Sequence, residues 1–139
     1  MKVLLFLIFL IPSMAFGSRF TTVPVISANP MTSTVNSYGI DVNQLALASF
    51  QAAWTCSACA GTFTIQVSND NVPMGTGNDP AANVINWVTY TGSSTAISGT
   101  GNLLYNMSFA GYRWARMVYT FASGSGTLNA QFSGKGFTN

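Results

Sequence analysis

The sequence predicts an all-β protein: a single antiparallel β-sandwich of jelly-roll type with about eight strands, following an N-terminal signal peptide. Three observations carry that expectation. Apolar residues alternate with period two in several short runs, as they do in half-buried strands. Clusters of Gly, Ser, Asn and Pro separate those runs at near-regular intervals. No stretch keeps helical apolar spacing over three turns, and from residue 18 onward Ser, Thr, Asn and Gly supply 53 of 122 residues, a poor composition for helix.

The first element is residues 1–17, MKVLLFLIFLIPSMAFG. One cation, Lys2, precedes an unbroken apolar run over 3–11, and the segment closes on Ala15-Phe16-Gly17, with small residues flanking Phe16. This is the pattern of a secretory signal peptide. As a helix the nine-residue run reaches only about 14 Å, against roughly 30 Å of hydrocarbon in a bilayer, so it is too short for a stable span. A cleaved signal is the preferred reading, ahead of a retained hydrophobic anchor or a buried N-terminal helix. The expected mature domain is then 18–139, secreted to the extracellular space, the cell surface or the periplasm.

Strands are expected in order at 23–27, 37–42, 45–55, 62–68, 83–91, 103–107, 112–121 and 126–134. In 62–68, Phe63, Ile65 and Val67 point one way while Thr62, Thr64, Gln66 and Ser68 point the other. In 126–134, Leu128, Ala130 and Phe132 alternate with Thr127, Asn129, Gln131 and Ser133. The run 45–55 places Ala46, Ala48, Phe50, Ala52 and Trp54 on one side. Residues 83–91 and 112–121 are rich in β-branched and aromatic side chains. Turns fall at Asn29-Pro30, 92–94, 98–101 and 123–126, and 71–82 reads as an exposed loop.

Charge is scarce. Lys2, Arg19, Arg113, Arg116 and Lys135 oppose Asp41, Asp70 and Asp79, which makes 6% of 139 residues where about 25% is ordinary. With no Glu, no His and a net charge of +2, the chain has little material for a catalytic triad, a carboxylate pair or a nucleic-acid surface. A non-enzymatic protein without cofactor is expected.

Cys56-Ser57-Ala58-Cys59 falls between two expected strands, in what reads as a hairpin loop. A redox pair would need the first Cys at a helix N-terminus, and zinc needs about four ligands. A short structural disulfide between Cys56 and Cys59 is the preferred reading in a secreted chain, ahead of free thiols, a redox pair or a metal site. Asp70 and Asp79, with Asn69, Asn71 and Asn78, are the oxygen-rich candidates for Ca²⁺. Turn chemistry accounts for the same residues, and no metal is expected.

In GYRWARMVYTF, alternation puts Ala115, Met117, Tyr119 and Phe121 towards a core. It puts Tyr112, Trp114 and Arg116 in a row on the opposite face. Such a row suits sugar stacking or a protein interface, where Tyr, Trp and Arg concentrate. Packing of that face against a neighbouring strand or second sheet is the preferred alternative.

The order of GTFTIQVSNDN, INWVTYTG and YRWARMVYT resembles that of discoidin-like (galactose-binding-like) β-sandwiches, with Arg113, Trp114, Arg116 and Met117 in the "R-aromatic-x-R-apolar" position. The segment YRWARMVYTFASGSGTLNAQFSGKG also resembles the C-terminal part of small β-sandwich proteins of tailed-phage virions and related bacterial sequences. The resemblance covers roughly 62–136, and its motifs are structural, so it implies a sandwich without transferable ligand residues. The expected function is a structural or adhesive β-sandwich acting through surface contacts and self-associating in an extracellular, cell-surface or virion-type assembly. The alternative is a carbohydrate-binding module using exposed aromatics, with a glycan or cell-surface ligand. Neither nucleic acid nor a membrane span enters either expectation.

Overall fold

The computed structural model of the chain describes residues 20–75, 79–109 and 111–136. The expected signal peptide, 1–17, lies outside them. The described residues form eight antiparallel strands and no helix.

Two long strands organise the fold. β4 (Leu45–Ser68) and β8 (Trp114–Gly136) run antiparallel along their whole length, from Leu45 opposite Gly136 to Ser68 opposite Trp114. β1 (Phe20–Pro30) extends the sheet beyond the C-terminal half of β8, and β7 (Gly101–Met107) extends it beyond the N-terminal half of β4. This gives a first layer ordered β1-β8-β4-β7. The other halves of the long strands carry short partners. β2 (Val35–Asn36) and β3 (Ile40–Asp41) lie on β8, while β5 (Val88–Thr89) and β6 (Thr95–Ser98) lie on β4. These form the second layer.

The layers are joined by bending of the long strands. Register between β4 and β8 slips at Ser57/Ala60 and Ala60/Gly61, where Ala58 adopts φ 48° and the facing Gly124 adopts φ 88°. A Cβ at position 124 would stand 2.5 Å from the Ala58 carbonyl oxygen, so the close approach at this corner requires glycine. The Cys56–Cys59 disulfide spans the bulge. A third run turns at the same corner between β6 and β7: the Gly99 N–H donates to the Cys59 carbonyl, and the Trp54 Nε1–H donates to the Gly99 carbonyl at 2.6 Å.

This corrects several expectations. The expected strands 45–55 and 62–68 are one bent strand, and so are 112–121 and 126–134. The reason is that both parts of β4 pair with β8 and not with each other, so the Cys-x-x-Cys segment is a sheet corner and not a hairpin loop. Likewise 123–126 is the matching corner of β8. Of the expected strand 83–91 only Val88–Thr89 pairs, because 79–87 is drawn into turns by side-chain to backbone hydrogen bonds described below.

The core lies between the layers. From the first layer Phe50, Trp54, Leu128 and Phe132 face in, and from the second Phe63, Ile65, Met117 and Tyr119. Phe50 packs edge-on to Phe132 and Phe109, and Phe63 sits between Trp54 and Tyr119 at 5.0 and 5.3 Å. The period-two pattern thus places one face of each half-strand in the core, as alternation predicts for Leu128, Ala130 and Phe132.

Candidate functional site

Where β8 begins, the second layer is roofed by residues 69–75 and 79–87. Trp114, the first residue of β8, is fully buried there. It packs with Ala81 and Val84, flanked by Val72 and Trp87, and its Nε1–H donates to the Asp70 carbonyl at 3.1 Å. Buried indole N–H groups need such a partner, and the loop backbone provides it.

The roof is tied down by two carboxylates. Asp70 accepts from the backbone N–H of Ile85 (2.9 Å) and of Asn86 (2.8 Å), and from the Asn86 side-chain amide. These donors, the Asn86 backbone first, hold the Asp70 carboxyl below its ordinary value. Asp79 Oδ1 accepts from the N–H groups of Gly39 and Ala81, both at 3.0 Å, which joins the loop to the segment before β3. Asp70 and Asp79 therefore stand as turn-forming acceptors. Among the described residues no cluster of three metal-ligating acidic, His or Cys side chains occurs.

Arg116 follows two residues along β8, opposite Gln66 in the ladder. Its Nε and Nη2 both donate to Gln66 Oε1, at 2.8 and 2.7 Å, and the guanidinium lies 4.2 Å from the centre of the Trp87 ring. Half-buried in this position, it has its pKa lowered by desolvation, with the Asp79 charge acting in the opposite direction. Arg113 lies over the Trp114 ring, and its Nη1 donates to Asn71 Oδ1. Tyr112 turns away from this cluster and packs edge-on to Tyr90 at 5.9 Å, against the main core.

The three residues expected as one stacking row are thus divided. Tyr112 lies against the main core, Trp114 anchors the loop, and Arg116 forms a stack with Trp87 and Gln66. Trp114 has no exposed surface to offer a ligand, because the loop fixed by Asp70 and Asp79 covers it. Gln66 and Trp87 were not singled out by the sequence. They meet Arg116 through strand register and loop packing, neither of which has a local signature.

The outer surface of the first layer has a different chemistry. Ser49 faces Ser133 and Gln51 faces Gln131 on the central ladder, with the Gln131 amide donating to Gln51 Oε1 at 2.7 Å. Thr22 and Ser133 share a hydrogen bond at 2.8 Å, and Asn102 and Asn106 extend the surface onto β7. Alternation along β8 puts Lys135 at one end of this surface, its one charged residue among the described residues.

No family model matches the chain, and no curated protein matches it. Among solved structures the chain is similar to the SPBc2 prophage-derived protein YomS, at 13% identity and a TM-score of 0.48, over 95% of this chain and 99% of that one. It is also similar to a chain in the structure of infectious bursal disease virus, Gx strain, at 12% identity and a TM-score of 0.48. That match covers 94% of this chain but 36% of the viral one.

Proposed function

We propose that this is an exported, non-enzymatic structural or adhesive protein that works by surface contact and self-association, in an extracellular, cell-surface or virion-type assembly. The observation that carries the reading is the outer surface of the first layer: a pleated ladder of hydroxyl and amide pairs with Lys135 at its margin. Charged side chains are the ordinary means by which sheet proteins avoid one another, and this layer has almost none. The carboxylates add to this support, because Asp41, Asp70 and Asp79 each accept from backbone N–H groups of nearby turns. The discoidin-like order of segments over 62–136 is compatible with a contact role and supplies no ligand residue.

Two measurements test the proposal. N-terminal sequencing of the exported protein is expected to begin at or near Ser18. Sedimentation equilibrium of that protein is expected to show mass rising with concentration, and a strict monomer at high micromolar concentration would overturn self-association. The carbohydrate-binding alternative now rests on the half-buried Tyr112 and Trp87 in place of Trp114. Retention by a neutral polysaccharide that is lost in Trp87→Ala would favour it.

A further inference from the structure

The four sheet edges are not alike. β1 is long but interrupted: Pro24 and Pro30 lack N–H groups, register slips at Pro24/Ile26 and Ile26/Asn29, and Ala28 adopts φ 46°. The second layer ends in β2 and β3 on one side and in β5 and β6 on the other, none longer than four residues. These are the usual protections of a sheet edge. β7 has none of them. Its seven residues, Gly101–Met107, contain no proline and no charge, and pair with Trp54–Ala48 without a register slip. Among the described residues, β4 is its one ladder partner, and no loop hydrogen bond reaches its backbone.

The side chains of β7 that point to the outer surface are Asn102, Leu104 and Asn106, all exposed, with Leu104 at 54%. Read in either direction they give the same order. An antiparallel copy of β7 centred on Leu104 therefore sets Asn102 against Asn106, Leu104 against Leu104, and Asn106 against Asn102. A two-fold axis passes through the midpoint of such a pair whether or not that pair is the hydrogen-bonded one, so the strand register is compatible with symmetry. Leu104 also lies opposite Gln51, so the seam would continue the row formed by Gln51 and Gln131.

We infer that β7 is the self-association edge of this protein, pairing antiparallel with β7 of a second copy about a two-fold axis at Leu104. The inference rests on the proposed contact function and specifies its geometry. Any strand set antiparallel to its own copy obeys this symmetry. What favours a second copy at β7 is that the outer-face pairs are uncharged like pairs, Asn with Asn and the exposed Leu104 with Leu104, on an edge with no charge to repel them. Pairing at β7 consumes both unguarded edges and leaves β1 outermost on each side, so the sheet closes as an eight-stranded dimer layer and does not run on into a fibre.

The test uses the mature chain with its native disulfide intact. In Leu104→Cys, thiols on opposed Cβ atoms about 4.5–5.5 Å apart are expected to be joined into a symmetric dimer by a short bifunctional thiol reagent. Ala53→Cys, on the outer surface of the neighbouring strand, is expected to remain uncrosslinked. Leu104→Lys places two like charges face to face and is expected to weaken association by about tenfold or more, with an unchanged far-ultraviolet dichroism spectrum. If wild-type protein associates but Leu104→Lys associates equally well, or Leu104→Cys fails to crosslink, β7 pairing is overturned while the contact function stands. A wild-type protein that is monomeric throughout overturns both.

Discussion

The Tyr105 hydroxyl donates to the Phe63 carbonyl at 3.2 Å, although Tyr105 is paired in the ladder with Phe50 of the same strand. On a straight β4, Phe50 and Phe63 would be roughly 43 Å apart at about 3.3 Å per residue. The bond therefore exists only because β4 folds back at the Cys56–Cys59 corner, and it ties one layer to the other.

Tyr105→Phe should lose about 1 kcal/mol of stability near neutral pH, the usual net value of one such bond. The effect should also depend on pH. Burial, opposed by a hydrogen bond with Thr95, raises the Tyr105 pKa above its ordinary value. A raised pKa contributes stability below the unfolded value of about 10, and that contribution disappears as pH rises through the folded value. Denaturant titrations near pH 7 and near pH 11 should show wild type losing more stability than Tyr105→Phe between the two.

At the corner, backbone conformation should outweigh the cross-link. The Cys56–Cys59 loop is so short that its removal, as Cys56→Ala with Cys59→Ala, should cost near the low end of the roughly 0–5 kcal/mol range. Gly124→Ala meets two penalties at once: a φ of 88° and a Cβ 2.5 Å from both the Ala58 carbonyl oxygen and the Cys59 Cα. The conformational term alone is about 1–3 kcal/mol. Thermal unfolding should rank Gly124→Ala as the more damaging change.

These features explain what could be read in advance. Period-two alternation at 62–68 and 126–134 was sufficient to place strands and their core faces, because burial of one sheet face imposes it. The bends were not legible, since a Gly/Ser cluster looks the same in a hairpin turn and in a sheet corner. The distinction lies in pairing, and one signal of pairing was present: Ser49-Phe50-Gln51-Ala52 is mirrored by Ala130-Gln131-Phe132-Ser133, and the four like pairs are consecutive rungs of the ladder. β6 was missed because Thr95–Ser98 is a four-residue run inside a polar stretch. Alternation separates Trp114 from Ala115, and the two pack in different clusters. The burial of Trp114 came from a loop held by Asp70 bonds to residues 15 and 16 positions away, which no local pattern announces.

Asp70 gives that loop an acid limit. Its pKa is depressed, chiefly by the Asn86 backbone N–H, then by the Asn86 side chain and the Ile85 N–H. A depressed carboxyl contributes stability above its unfolded value of about 4 and loses it as pH falls through the lower folded value. Asp70→Asn removes the titration. Between about pH 5 and pH 2 the wild-type loop should lose amide-exchange protection at Ile85 and Asn86. The variant, less protected at the start, should change little over the same range.

Trp114 gives the sharpest separation between a scaffold role and a ligand role. It is fully buried, and its Nε1–H satisfies the Asp70 carbonyl under the loop. Trp114→Ala should therefore cost about 3–5 kcal/mol through the cavity and the lost contacts. Trp114→Phe should cost less, about 1–3 kcal/mol, chiefly because the Asp70 carbonyl loses its donor. Tyr112, half-buried against Tyr90, should tolerate replacement by Phe with a change of about 0.5 kcal/mol or less. Urea unfolding of the three variants gives the order directly. A residue that served mainly to stack a ligand would be exposed and cheap to truncate. A small cost for Trp114→Ala would therefore contradict its place as the anchor of the loop.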